Sequence, residues 1–314
     1  MTDALRAFAA GLRAALLSPL LVLAMTVAMV VSVVPFGLVL GSRLQTALAT
    51  QQPVSADATD IDPEWWMEFR AHASGLEATF TPAIIGFAAP LDNLSALLDA
   101  SPRPWALVLP VAFSTVVWAF LWGGLLRRFH AGRALGIGGF VKAGAAYAPR
   151  FVAISLAALV AYVVLYWTVH IVLFNLIYDW LAELLSSERE AFFMRVLLYA
   201  VFGTFLMAVA LVVDYARIAV VASGSPSASS ALRAGVQFVR LHKAAVVSLY
   251  LIAGVLMALM LAVYGTSEVY GGTRLGGWRA VAIGQAYIIG RLVLRLALAA
   301  SEVQLWRRMT EAGR

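Results

Sequence analysis

Apolar residues crowd into six stretches of this chain, roughly 19–41, 105–126, 151–174, 192–213, 244–264 and 280–300. Each is close to the ~20 residues that a helix needs to cross a hydrocarbon core. The fifth, AAVVSLYLIAGVLMALMLAVY, carries no charge at all. The sixth contains "IIGRLVLRLALAASE", with Arg291 and Arg295 one helical turn apart. Ahead of the first span, Leu5, Phe8, Leu12 and Leu16 recur at helical spacing, with Arg6 and Arg13 off that face. This pattern predicts a short interfacial helix over residues 1–18.

Two connections repeat that amphipathic pattern. "FVKAGAAYAPRF" (140–151) follows the second span and "ALRAGVQFVRLH" (231–242) follows the fourth. Aligned on Gly144 and Gly235, they match Lys142 with Arg233, Ala143 with Ala234 and Tyr147 with Phe238. Ser225 as N-cap and Pro226 at the first position predict where the second helix starts. Leu232, Val236 and Val239 give it an apolar face. The expected unit is an inward span, a surface elbow and an outward span, covering 105–174 and again 192–264. Duplication would relate the two hairpins by an axis along the membrane normal; convergence of amphipathic helices under one constraint would give the same pattern.

Residues 42–104 are too polar to span and too long for a simple connection. In "DPEWWMEFRAHASG", Asp62 is the expected N-cap and Pro63 the first helical position. Trp65, Trp66 and Phe69 supply an aromatic surface suited to headgroup level. An apolar run between Pro82 and Pro90 is too short to cross, and Leu91, Leu94, Leu97 and Leu98 form a further amphipathic turn or two. The segment is expected to fold as an external helical cap.

Composition agrees with a membrane chain: 62% of the 314 residues are hydrophobic and 13% charged, where soluble domains carry about 25% charge. Without cysteine there is no disulfide and no thiolate ligand. Charge fixes orientation. Arg127, Arg128, Arg133, Lys142 and Arg150 join spans two and three, and Arg217, Arg233, Arg240 and Lys243 join spans four and five. Residues 42–104 hold three arginines against eight acidic residues, and 175–191 hold Asp179, Glu183, Glu188 and Glu190 against Arg189. The connection at 265–279 departs from this alternation, with Arg274 and Arg279 against Glu268. By the positive-inside rule both termini are cytoplasmic. The two lysines among 23 basic residues suggest a GC-rich bacterium, and hence its cytoplasmic membrane. The net charge of +6 is spent on topology and does not point to nucleic acid.

The expected fold is therefore an all-α integral membrane protein, a single domain over 1–314 with six transmembrane helices, two cytoplasmic amphipathic elbow helices and an external cap. A hairpin with an elbow of the "ALRAG…F" kind, and a last span running into "SEVQLWRR", resembles bacterial six-span families typified by the membrane domain attached to glycerophosphodiester phosphodiesterases. The resemblance covers roughly 105–310 and implies a membrane module; the catalytic phosphodiesterase domain has no counterpart here.

Arginine at bilayer depth costs about 2.5–3.5 kcal/mol on insertion scales. Arg291, Arg295 and Glu302 fall within about 40° on one helix face. The first expectation is an ion pair of Arg295 with Asp214, or with Glu302, that locks helix packing. The alternative is a pocket in which Arg291 and Arg295 bind a phosphate or lipid headgroup. Gln285 lies off this face and is expected to bond a neighbouring helix. His72, His130, His170 and His242 share no metal-ligand spacing, and "GIGG" (136–139) lacks the context of a nucleotide loop. No catalytic constellation, metal site or cofactor is expected. The leading functional expectation is a non-enzymatic scaffold or accessory subunit, meeting lipid and a protein partner or a second copy through the cap or the sixth span. The runner-up is a transporter or lipid-handling permease using the arginine face, and third comes a membrane-embedded lipid enzyme.

Overall fold

In lipid every backbone polar group must be satisfied within the protein, and helices do this segment by segment. The computed structural model of the chain describes residues 2–49, 63–80, 88–224, 227–271 and 277–311. Among them there is no strand, and six helices are long and apolar enough to cross a membrane. The protein is an all-α, multi-pass membrane protein.

In chain order the helices are α1 (Thr2–Leu16), α2 (Pro19–Ala49), α3 (Pro63–His72), α4 (Ala88–Leu98), α5 (Val108–Ala131), α6 (Ile137–Leu165), α7 (Tyr178–Ala182), α8 (Glu188–Ser223), α9 (Ala228–Leu241), α10 (Lys243–Gly271) and α11 (Gly277–Glu311). The spans are α2, α5, α6 with its extension, α8, α10 and α11. Between α6 and α7 the chain continues as two π-helical turns, Tyr166–His170 and Val172–Ile177. Each widened turn rotates the side chains that follow it.

Three spans, α5, α8 and α11, touch one another at the centre. Each is crossed by an amphipathic segment: α1 lies on α11, the start of α6 on α5, and α9 on α8. A glycine makes each crossing close. A Cβ on Gly11 would stand 2.5 Å from the Ala297 carbonyl, one on Gly144 2.9 Å from that of Phe120, and one on Gly235 2.7 Å from that of Val212. The pattern thus occurs three times. The third occurrence joins the two ends of the chain, α1 with α11, and pairing successive connections in sequence misses it.

Of the two expected elbows, one forms as a separate helix and the other does not. Only α9 is a separate helix, because His242 breaks it from α10. Residues 140–151 are instead the first turns of α6, which runs straight on with Pro149 inside it. The N-cap of α9 is Ser227, whose hydroxyl accepts from the Ser230 amide at 3.2 Å; Ser225 and Pro226 lie outside the described residues.

On the opposite side, α3 begins at Pro63 as expected. Asp62, Pro82 and the side chain of Trp65 lie outside the described residues. Trp66 and Phe69 stack on each other and close on Phe80, with centroids 5.8 and 5.9 Å from it. Phe69 is buried, so it packs the cap rather than presenting itself to headgroups. The end of α4 is held from the membrane side. Tyr166 Oη donates to the Leu97 carbonyl and His170 Nε2 to that of Leu98, at 2.5 and 3.0 Å. These are helix-end carbonyls that lack partners within α4. Asp99 then accepts from Tyr199, from Ser95 Oγ at 2.9 Å and from Arg195 at 3.2 Å. The Tyr199 hydroxyl above all, with Ser95 and Arg195, holds the Asp99 carboxyl below its usual range against the opposing effect of burial.

Candidate functional site

The outward spans do not pack alike. α6 lies along α8 and α10 along α11, whereas α2 touches α5 only lightly. The space this leaves is a cavity of about 900 Å³ bounded by α2, α5, α10 and α11. Met29, Val33 and Val34 of α2 make one apolar wall, and Ala253, Gly254 and Met257 of α10 another. The polar groups in it are Arg291, Arg295, Gln285 and Tyr250, with the Trp118 indole beside them. Gln285 thus shares the arginine cavity and bonds no neighbouring helix among the described residues.

Both arginines are exposed to this space. Arg295 lies over Trp118 and Trp122, its guanidinium carbon 4.9 and 5.3 Å from the ring centroids. Arg291 lies 5.7 Å over Tyr287. Such cation–π contacts give about 0.5–2 kcal/mol each and leave the N–H donors of a guanidinium free to point elsewhere. The aromatic shelf holds Arg295 at depth without consuming its charge.

The carboxylates expected to hold Arg295 are engaged otherwise. Asp214 Oδ1 pairs with Arg217 at 3.2 Å, one turn along α8, and Arg217 also donates to Ser155 Oγ of α6 at 3.1 Å. Glu302, 4% exposed, turns away from the cavity into the bundle. Tyr250 Oη stands between them, 2.6 Å from Asp214 Oδ2 and 2.5 Å from Glu302 Oε1. Among the described residues neither acid comes within 4.0 Å of Arg295, so the Arg295–Asp214 and Arg295–Glu302 ion pairs do not form. An i,i+3 partner on the same helix reaches Asp214 with less side-chain ordering than an arginine on another span.

The sequence brought Arg291, Arg295, Asp214 and Glu302 to one region, and the structure places them there. It also adds what that reading left out: Tyr250, Arg217, the tryptophan shelf and α2 as a wall. "DYAR" at 214–217 displays the i,i+3 pair; the shelf comes from a different span and has no local signature. Among the described residues no group of acidic and histidine side chains has the arrangement of a metal site. The chain matches no known protein-family model, no curated protein and no solved structure.

Proposed function

We propose that this protein binds the anionic group of an amphiphile within the membrane, as a lipid-handling or permease-type carrier. One observation carries the reading: two arginines that have no carboxylate at ion-pairing distance among the described residues share an apolar-walled cavity at bilayer depth. An uncompensated arginine in hydrocarbon is costly, and a phosphate or carboxylate from a ligand offsets that cost through bidentate, charge-assisted hydrogen bonds. The exposed valines of α2 offer a surface for acyl chains. A scaffold would need the arginines for packing alone and would favour a dry ion pair at Arg295; their position in the cavity supports the carrier. The proposed carrier is non-enzymatic and belongs to a bacterial cytoplasmic membrane, on the scarcity of lysine, with both termini inside, on the strength of loop charge. The resemblance to the six-span phosphodiesterase-linked membrane domains fits a lipid-facing module and is proposed on the elbow residues and the "SEVQLWRR" end of the last span.

Native mass spectrometry of the detergent-purified protein tests it. Wild type should retain phosphatidylglycerol over phosphatidylcholine, and the R291L/R295L variant should lose roughly tenfold or more in that preference, the order of a hydrogen bond to a charged group. Equal retention by both proteins would sink the reading.

A further inference from the structure

We infer that Glu302, Tyr250 and Asp214 form a proton site linked to anion binding at Arg291 and Arg295. The anion half rests on the proposed function; the proton half rests on counting hydrogens in the triad.

Tyr250 Oη contacts Asp214 Oδ2 at 2.6 Å and Glu302 Oε1 at 2.5 Å. A tyrosine hydroxyl owns one proton, and an ionised carboxylate can only accept. With both acids ionised, one of the two contacts would press lone pair against lone pair. One acid therefore carries a proton and donates it to Tyr250. Asp214 has Arg217 at 3.2 Å and a side chain 32% exposed. Glu302 is almost fully buried, with no cation at ion-pairing distance among the described residues. The charge is therefore placed on Asp214, beside the Arg217 guanidinium, and the proton on Glu302. The chain of donors runs from Glu302 Oε1–H to Tyr250 Oη, and from Tyr250 Oη–H to Asp214 Oδ2.

The charged and titratable groups that face Glu302 are Asp214, Arg217 and Tyr215 of α8, Tyr250 of α10 and Arg295 of its own helix. Tyr162 of α6 faces Asp214. The Tyr215 hydroxyl is buried beside them without a hydrogen-bond partner among the described residues. α1 covers the other side of α11 with Gly11 and buried alanines, its Arg6 and Arg13 remaining exposed. A proton leaves by a paired shift. The Glu302 proton moves to Tyr250 Oη as the Tyr250 proton moves to Asp214 Oδ2, leaving Glu302 ionised and Tyr250 unchanged; Asp214, at the more open end, then releases that proton to water, so that the triad gains one negative charge.

Tyr250 and Arg295 both line the cavity, so the two sites share a wall. When Glu302 ionises, its charge competes for the field of Arg295, and an anion in the cavity is held less strongly. Reciprocally, an anion that occupies Arg295 favours the protonated triad, by the symmetry of linkage. Anion affinity should fall as pH rises.

The test uses a short-chain phosphatidylglycerol as probe and infrared difference spectroscopy of the full chain in nanodiscs. Wild type should show the C=O stretch of a protonated carboxyl at neutral pH, absent in E302Q and shifted in frequency in Y250F. The Kd for the probe should rise roughly 5–150-fold across the pH range in which that band disappears, the span of typical coupling between sites, and should stay flat in E302Q. Absence of the band from wild type, its survival in E302Q, or an unchanged pH dependence in E302Q each overturns the proton site. If R291L/R295L keeps the band yet binds the probe like wild type, the anion reading fails and takes the linkage with it, while the proton count stands.

Discussion

Arg295→Leu removes a guanidinium from the faces of Trp118 and Trp122 and strands no carboxylate. It should leave thermal stability in detergent unchanged or raised. Asp214→Leu deprives Arg217 of the one acidic partner it has within pairing distance among the described residues, and Tyr250 of an acceptor. That variant should lose about 1–3 kcal/mol, the order of a partly buried charged hydrogen bond. Thermal unfolding of the two, side by side, checks the contrast. Which charges would gather at this depth was legible in the sequence, because a polar residue in an apolar run stands out. Their partners were not. Helical phase assigned Arg295 and Glu302 to one face, but a long guanidinium on an aromatic shelf and a short carboxylate in the bundle diverge from there. The choice between Arg217 and Arg295 for Asp214 depends on how far apart the spans sit, and no single span encodes that.

The crossing glycines carry the next prediction. Gly11→Ala and Gly235→Ala each push a Cβ to within 3 Å of a span carbonyl, where backbone must give way. Each should cost about 1–3 kcal/mol, as overpacking does. Gly254→Ala, with open space around it, should be neutral by the same thermal assay. Periodicity located all six spans, since a long apolar run is its own signal. It did not foresee that 140–151 continues into its span while 231–242 stops, a difference made by the break at His242 rather than by amphipathicity. Nor did it foresee the π turns, which matter because they bring Tyr166 and His170 beneath the cap. The Asp99 cluster beside them is sensitive to acid. A carboxyl whose native pKa is depressed stabilises the fold above its unfolded value of about 3.9 and loses that contribution as pH falls through the native value. Limited proteolysis of the cap should therefore accelerate below about pH 4 in wild type, and Asp99→Asn should be cut readily at neutral pH with little further change on acidification.

For the molecule as a whole, the alternation of loop charge predicts the direction of the bundle. A reporter active only outside the cytoplasm should be active when fused after Ser101 and silent after Ser223; the reverse pattern would invert the orientation. The three central spans with their three crossings form a pseudo-threefold plan, and the cavity lies where the plan is broken, at the loosely seated α2. This asymmetry was beyond the sequence. α2 is as apolar as the other spans, and what distinguishes it is a neighbour it fails to pack against.

The seat of α1 on α11, with Gly11 against Ala297 and Ser301, also sets a timetable. A ribosome delivers the first amphipathic helix some three hundred residues before the surface that receives it. Throughout that interval α1 must wait on the membrane surface with its alanine and phenylalanine face in the headgroup region. Only when α11 has emerged can α1 take its seat. Any nascent chain arrested before Ala297 carries α1 undocked, with its buried face still turned to the membrane surface.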